Sequence, residues 1–230
     1  MKRIVLLAII PLLFSFTFRP TSQTIDINNK QKSTQFLIEN TTTEIIPVTV
    51  KGFLRLQNKD GTEKLPVTND IKVFPPQLII SPGERKTIRV DWSGPSSLET
   101  ERVYRVVAEQ VPLKVSKGEK KNRGGIKMLL KYMNVVYIPA KRPFSKVEAL
   151  KYEAKNNWIY LTLRNSGNTH QYIKNLEVSF VKGKKKLSLS RKALDNLNGQ
   201  NILANTTRVF KFKNDLNLTS GYKVNIKFDK

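Results

Sequence analysis

Few side chains in this 230-residue chain could carry catalytic chemistry. There is no cysteine, which excludes disulfides, thiolate zinc sites, a cysteine nucleophile and a lipid-modified cysteine anchor. The single histidine, His170, has no serine and aspartate at a spacing that predicts a catalytic triad, so we expect a surface histidine. Glu99 and Glu101 stand two positions apart without a third group, and we expect both to be solvated charges. Most metalloenzyme and hydrolase mechanisms are thereby excluded.

The chain is strongly basic, with 41 lysine and arginine residues against 18 aspartate and glutamate residues and a formal net charge of +23. Such a field attracts nucleic acid, anionic lipid or an acidic partner. Residues 114–125 predict a mobile basic loop, and residues 182–186 predict a basic hairpin tip. Only Phe180 lies near that tip, whereas single-stranded nucleic acid needs aromatic rings interleaved with the cations. We therefore expect no nucleic-acid partner.

The amino terminus has the pattern of a secretory signal peptide. Residues 4–18 form a charge-free, largely apolar run behind Lys2 and Arg3. A membrane-spanning helix needs roughly 20 apolar residues, so this run is short for one. We predict a signal peptide at residues 1–18 and an exported remainder. Because no clear small-residue cleavage site follows, an uncleaved anchor stays an alternative.

The remainder predicts an all-β protein. From Thr24 onward, short apolar runs of period two alternate with turn residues every 8 to 14 positions. Eleven such runs are too many for one small sandwich, and residues 139–143 are rich in proline and charge. We predict two β-sandwich domains, at residues 19–140 and 141–230, joined by a linker.

The longest predicted strand, residues 126–139, is largely apolar on both faces. One face would carry Ile126, Met128, Leu130, Tyr132, Asn134 and Val136. The other would carry Lys127, Leu129, Lys131, Met133, Val135 and Tyr137. Such a strand fits between a sandwich core and a domain interface, or it offers an open edge to another polypeptide by β-addition. Periodicity leaves both interpretations open.

The order of several short motifs resembles the periplasmic pilus and fimbrial assembly chaperones of chaperone-usher systems. Asn40 ends an apolar strand before a polar turn, as in that family. Six further motifs follow in the family's order. They are an apolar-proline strand at residues 73–78, a Pro-Gly turn and strand at 81–90, an acidic and aromatic motif at 101–105, an apolar-proline motif at 111–113, the end of an edge strand at 136–139, and a strand that runs into an Asn-Gly turn at 163–168. The resemblance is good over residues 34–139 and thin afterward.

The resemblance implies two immunoglobulin-like β-sandwich domains, no catalysis, no cofactor and no small-molecule substrate. Such a chaperone works in the periplasm. It lends a strand to a pilus subunit that lacks one, covering the apolar groove until an outer-membrane usher takes the subunit. A subunit with an open groove exposes apolar surface and unpaired backbone, both of which promote aggregation.

Mapped onto this chain, the resemblance implies a subunit-binding strand at Ile126, Met128, Leu130, Tyr132 and Asn134. Counting back from Pro139 instead favours the face with Leu129 and Met133, because a slip of one residue exchanges the two faces. The register stays open.

The family also uses two cations to hold the terminal carboxylate of the subunit, and here the chain departs from the pattern. The matching positions fall near residues 22–24 and at Asn134, so Lys131 and Arg19 become the candidate carboxylate anchors. An acid-base contact between the domains also looks incomplete, since Glu101 matches but Ile138 stands at the position of its partner.

A second functional hypothesis comes from the charge alone. An exported structural or adhesive protein with this charge would bind polyanions at the cell surface. The two hypotheses differ at the predicted edge strand, because only strand donation depends on its apolar side chains.

Overall fold

Short strands in which buried and exposed residues alternate account for most of the chain. The computed structural model describes residues 16–112 and 129–228. The first part of the chain contains β1 (Phe16–Arg19), β2 (Ser22–Thr24), β3 (Ser33–Asn40), β4 (Ile46–Leu54), β5 (Leu56–Gln57), β6 (Glu63–Lys64), β7 (Ile71–Phe74), β8 (Gln77–Ile80), β9 (Arg85–Trp92), β10 (Arg102–Gln110) and β11 (Lys131–Ile138). The second part contains β12 (Val147–Lys155), β13 (Trp158–Asn165), β14 (Gln171–Tyr172), β15 (Glu177–Lys182), β16 (Lys185–Ser188), β17 (Asn201–Ile202), β18 (Thr207–Lys213) and β19 (Lys223–Lys227).

Helical structure is confined to short segments. They are one α-helix, α1 (Arg191–Leu194), and the 3-10 turns Ile27–Asn29 and Asp195–Leu197. Within residues 16–112 and 129–228, no helix is long and apolar enough to span a bilayer.

The first sandwich packs a four-stranded sheet, in the order β1-β3-β9-β7, on a five-stranded sheet, in the order β2-β11-β10-β4-β8. The alternation in β3 shows why: Phe36 and Ile38 are buried, whereas Gln35 faces solvent. The two inner faces meet in one apolar core that includes Phe16, Tyr104 and Val136. The predicted all-β, immunoglobulin-like fold is confirmed.

The first strand segment is shared between the two sheets. β1 pairs antiparallel with β3, and after Pro20 the chain crosses to the other sheet, where β2 pairs parallel with β11. Phe16 and Phe18 are buried in the core. These two residues lie inside the segment predicted as a signal peptide, so a cut after residue 18 would remove a core strand.

A buried asparagine closes a turn in each sandwich. Asn40 donates from Nδ2 to the carbonyl oxygens of Glu44 and Ile80, at 2.7 and 2.9 Å. Asn165 donates in the same way to Thr169 and Ile202, at 2.8 and 3.2 Å. Because a buried amide must be hydrogen-bonded, Asn40 fixes its turn against β8 of the opposite sheet, and Asn165 fixes its turn against β17.

The second sandwich is built from the sheets β12-β13-β18 and β16-β15-β19, with the small pair β14-β17 at one end. Its core is separate from the first and includes Leu161, Phe180 and Phe210. Residues 139–146 connect β11 to β12. A third apolar cluster of Val103, Val135, Tyr137 and Leu203 joins the two halves and packs the outer face of β11 against the second sandwich.

Candidate functional site

The two faces of β11 differ sharply in burial. Even-numbered residues from Leu130 to Ile138 face the core of the first sandwich. On the other face Leu129 is 53% and Met133 39% exposed, while Val135 is buried against the second sandwich. β11 therefore has one face in the core and a second face whose side chains are exposed to solvent over the first half of the strand.

The structure divides the five predicted subunit-binding residues. Ile126 and Met128 lie outside the described residues. Leu130 is half-buried against the core, and Tyr132 packs on Phe16, with ring centroids 4.8 Å apart.

Asn134 is buried, and its Nδ2 donates to the carbonyl oxygens of Phe18 and Pro20, at 3.0 and 2.8 Å. Tyr132 and Asn134 thus hold β1 in place and face away from the open surface. The prediction that the even-numbered face binds the subunit is therefore shifted by one residue. The exposed apolar side chains are Leu129 and Met133, which belong to the other face. A sequence that is apolar on both faces could not decide this.

The outer backbone edge of β11 is covered over only part of its length. β2 pairs with Val135–Tyr137, and Val135 N donates to Thr21 O at 3.0 Å. Because backbone groups alternate in direction along a strand, the amides of Lys131 and Met133 point to the same outer edge as that of Val135. Among the described strands, only β10 pairs with residues 131–134. Within the described residues, the first half of β11 is therefore an open strand edge.

The two predicted carboxylate anchors are not brought together. Arg19 is exposed on β1 and pairs with Glu39 at 2.9 Å, on the four-stranded sheet. Lys131 is exposed beside Glu109, with Nζ and Oε2 3.8 Å apart. Neither cation lies at the point where β2 begins to cover the edge of β11.

A cluster of three arginines stands at that point instead, and sequence reasoning missed it. Arg55, Arg105 and Arg208, together with Thr21, Met133 and Tyr137, line a cleft of about 410 Å³ between the two sandwiches. Glu63 accepts from Arg105 Nη2 and Arg55 Nε, both at 2.7 Å. The three guanidinium groups come from strands far apart in sequence, so no local motif signals the cleft.

Arg105 is the member of the cluster nearest the open edge. It projects from β10 on the same face as Met133, and its Nη1 donates to Met133 O at 3.0 Å. Arg208 is more deeply buried and donates to Asn201 O at 3.1 Å. Within the described chain, Arg208 Nε has no hydrogen-bond partner.

Positive charge exceeds negative charge in this cleft, because the three arginines surround the carboxylate of Glu63. Burial alone would raise the pKa of Glu63, but the hydrogen bond from Arg105 and the charges of Arg55 and Arg105 outweigh it and lower the pKa. Burial and the neighbouring charge of Arg55 lower the pKa of Arg208. A second anionic group at the cleft would be attracted for the same reason that Glu63 stays ionised.

His170 and Glu101 form a contact between the sandwiches, which corrects both expectations for these residues. The Glu101 side chain is 3% and that of His170 17% exposed, and His170 Nδ1 lies 2.8 Å from Glu101 Oε2. The imidazole stacks on the Tyr137 ring, with centroids 4.2 Å apart. A histidine from the second sandwich, rather than residue 138, is therefore the partner of Glu101.

Tyr137 connects this contact to the arginine cleft. Its hydroxyl lies 2.9 Å from that of Tyr172 and accepts from Asn201 Nδ2 at 3.0 Å. Burial first, and then the hydrogen bond to Tyr172, raises the pKa of Tyr137, so the phenol remains neutral. In the part of the chain described, no group of acidic, histidine or cysteine side chains has the arrangement of a metal site.

Solved structures with the same fold are chaperones of fimbrial systems. The class 5 fimbriae chaperone CfaA has a TM-score of 0.60 at 18% identity, covering 94% of this chain and 92% of that chain. The CsuC-CsuE chaperone-tip adhesion subunit complex of Acinetobacter baumannii gives 0.56 at 16% identity, covering 85% and 89%. The Salmonella enterica complex of SafA pilin with the SafB chaperone gives 0.54 at 12% identity, covering 87% and 85%. At these identities the likeness concerns the fold.

The family comparison is independent of these structures. No curated protein sequence matches the chain. The family profile described as pili and flagellar-assembly chaperone, PapD N-terminal domain, matches residues 17–143, more than half of the chain. This region contains the first sandwich, the open edge of β11 and two of the three cleft arginines. The chain belongs to the family of pili and flagellar-assembly chaperones.

Proposed function

We propose that this assembly chaperone captures a pilus subunit by β-addition at residues 129–133, with Leu129 and Met133 as its apolar contacts. The observation that carries the proposal is the open edge of β11, where outward backbone amides and exposed apolar side chains occur together. Main-chain hydrogen bonds supply affinity in this mode of binding, and alternate side chains fix the register.

The position at which β2 begins to cover β11 determines where a bound subunit strand would have to end. A strand that runs parallel to β11, as β2 does, would reach Val135 and stop, because β2 already occupies the edge there. Its carboxyl end would then face Arg105 and the rest of the arginine cleft. We infer that these guanidinium groups, rather than Lys131 and Arg19, hold the terminal carboxylate of the subunit.

The neighbouring complexes support the choice of partner. Two of the similar structures contain a chaperone with a tip adhesion subunit or a pilin. We infer a pilus or fimbrial subunit as the partner of this chain and an outer-membrane usher as the recipient. The signal-peptide pattern of the amino terminus supports a periplasmic location, with cleavage ahead of β1, and we infer a non-catalytic role. The family assignment does not favour the alternative of a structural protein that binds surface polyanions.

The test is capture of a partner by the protein in its native host. A carboxyl-terminally tagged chain should copurify with a small β-rich exported protein in moderate salt. The double variant Leu129→Glu/Met133→Glu should lose this partner by at least about tenfold, because β-addition would bury two unpaired carboxylates. Ile45→Glu is the control, since Ile45 is 53% exposed, as Leu129 is, but lies just before β4.

The amount of partner per chaperone, measured by mass spectrometry, decides the outcome. Loss in the double variant with retention in Ile45→Glu supports strand addition at β11. Retention in a folded double variant would contradict this binding edge, and recovery of the wild-type chain without any β-rich partner would contradict the function itself.

A further inference from the structure

The end of the second sandwich that lies farthest from the first carries a concentration of positive charge. We call it the basic pole and define it as the four turns at residues 155–158, 182–185, 211–215 and 220–223. These turns contain seven lysines against a single carboxylate, Asp215. The lysines are Lys155, Lys182, Lys184, Lys185, Lys211, Lys213 and Lys223.

Backbone pairing brings the four turns together. Trp158 pairs with both Lys155 and Lys213 across β13, and Asn214 N donates to Asn157 O at 2.9 Å. In the other sheet, Lys182 pairs with Lys185 and Val181 pairs with Lys223.

Tyr152 joins the two sheets close to this end. Its hydroxyl accepts from Tyr222 N at 2.9 Å and donates to Thr219 O at 2.8 Å. The four turns therefore form one continuous surface.

The basic pole faces away from the first sandwich. β13 runs from Trp158 at the pole to Asn165, and the next residues meet the first sandwich, where Asn168 Nδ2 donates to Glu99 O at 2.9 Å. β18 likewise begins near Lys59, whose carbonyl accepts from Val209 N at 2.7 Å. A partner at the pole would thus leave the edge of β11 and the arginine cleft uncovered.

Little of this charge is neutralised within the protein. Lys213 lies 3.6 Å from Asp215, and both side chains are well exposed. Among residues 16–112 and 129–228, the other lysines of the pole form no ion pair. Exposed lysines on one surface attract an extended anionic partner.

Aromatic rings lie among these lysines. Trp158 is 37% exposed, and Lys211 Nζ lies 4.1 Å from its ring centroid and 5.9 Å from that of Tyr160. Lys182 Nζ lies 5.7 Å from the Tyr222 ring. An ammonium group over a ring is a favourable cation–π arrangement.

We propose that the basic pole binds the surface of an anionic phospholipid bilayer. Tryptophan and tyrosine favour the level of the lipid headgroups, and lysine side chains extend from there to phosphate. Nucleic acid fits less well, because base stacking needs open ring faces, whereas Lys211 already lies over Trp158. The inference goes beyond strand donation and does not depend on it.

The experiment measures vesicle binding by the full chain in about 0.1 M salt, where the screening length is about 10 Å. Vesicles of phosphatidylcholine with 30 mol% phosphatidylglycerol are compared with pure phosphatidylcholine. A lysine near an anionic surface contributes about fivefold in affinity, so Lys155→Gln/Lys211→Gln/Lys213→Gln should weaken binding about 100-fold. The matched control, Lys32→Gln/Lys51→Gln/Lys72→Gln, removes the same charge from exposed positions on the first sandwich.

A second readout locates the contact. Brominated lipid should quench the fluorescence of Trp158, and Trp158→Phe should remove that quenching because the other tryptophan, Trp92, is buried. Selective loss of binding in the pole variant, with quenching in the wild-type chain, supports the proposal. Equal losses in both triple variants, absence of quenching, or tighter binding of a single-stranded oligonucleotide than of vesicles would each overturn it.

Discussion

Arg105 is the side chain that links the open edge of β11 to the arginine cleft. Its guanidinium contacts Glu63 and the carbonyl of Met133, so it reaches the last outward backbone group before β2 begins. Arg55 and Arg208 lie deeper and also bind Asn201 of the second sandwich. Arg105 is therefore the cation most accessible to a carboxylate arriving along the edge.

We expect Arg105→Gln to weaken subunit binding by about tenfold or more, since a charge-assisted hydrogen bond contributes roughly 1.5–3 kcal/mol. Lys131→Gln and Arg19→Gln should change it less than twofold, because neither cation lies in the cleft. Titration calorimetry with the purified subunit measures this difference, and a thermal melt checks that each variant is folded. With a subunit whose terminal carboxylate is amidated, Arg105→Gln should no longer matter. A persistent effect there would contradict the anchor.

The sequence could predict cations near the edge strand but not this cluster. Lys131 and Arg19 lie close in sequence to the family positions, whereas Arg55, Arg105 and Glu63 converge only after the strands around them, β4, β10 and β6, have folded. His170 is a similar case, because its partner Glu101 belongs to the other sandwich.

At the scale of elements, β11 was predictable as a strand but not in orientation. Its alternation was evident, yet both faces are apolar, since one lines a core and the other ends in a domain interface. The parallel pairing with β2 fixes the register, and nothing local in residues 22–24 signals that pairing. The strand-rich, two-sandwich plan followed from turn spacing and is confirmed.

A proline substitution tests whether the partner pairs with the open edge of β11. Met133→Pro should abolish subunit capture, because proline removes the outward amide that an added strand would use. The protein should stay folded, with an unchanged far-UV circular dichroism spectrum, because that amide does not bond to β10. Met133→Ala retains the amide and is the control that should keep substantial capture. Capture by a folded Met133→Pro variant would mean that the partner does not pair with this edge.

At the scale of the whole molecule, the two sandwiches are joined by a polar and an apolar contact. Glu101 meets His170 and Thr169, and nearby Val103 and Tyr137 pack against Leu203. The same interface forms one wall of the arginine cleft through Asn201. Docking of the second sandwich therefore shapes the site at which a carboxyl terminus would be held.

We expect His170→Ala to destabilise the protein by about 1–2 kcal/mol, because it removes the stacked ring and one partner of the buried Glu101 carboxylate. Each kcal/mol corresponds to roughly 2–4 °C in Tm for a chain of this size. Differential scanning calorimetry measures the shift, and Lys174→Ala, an exposed lysine of the same sandwich, is the control. A Tm within 1 °C of the wild-type value would show that the contact does not couple the sandwiches.

Because β11 has one buried face and one exposed face, mutations in this strand fall into two kinds: those that affect folding and those that affect partner binding. Even-numbered positions such as Tyr132 and Asn134 maintain the fold, whereas the side chains of Leu129 and Met133 are exposed. Substitutions at Leu129 and Met133 can therefore alter partner preference with little loss of stability. A lineage, or a protein engineer, could retarget such a chaperone one residue at a time while its scaffold stays the same.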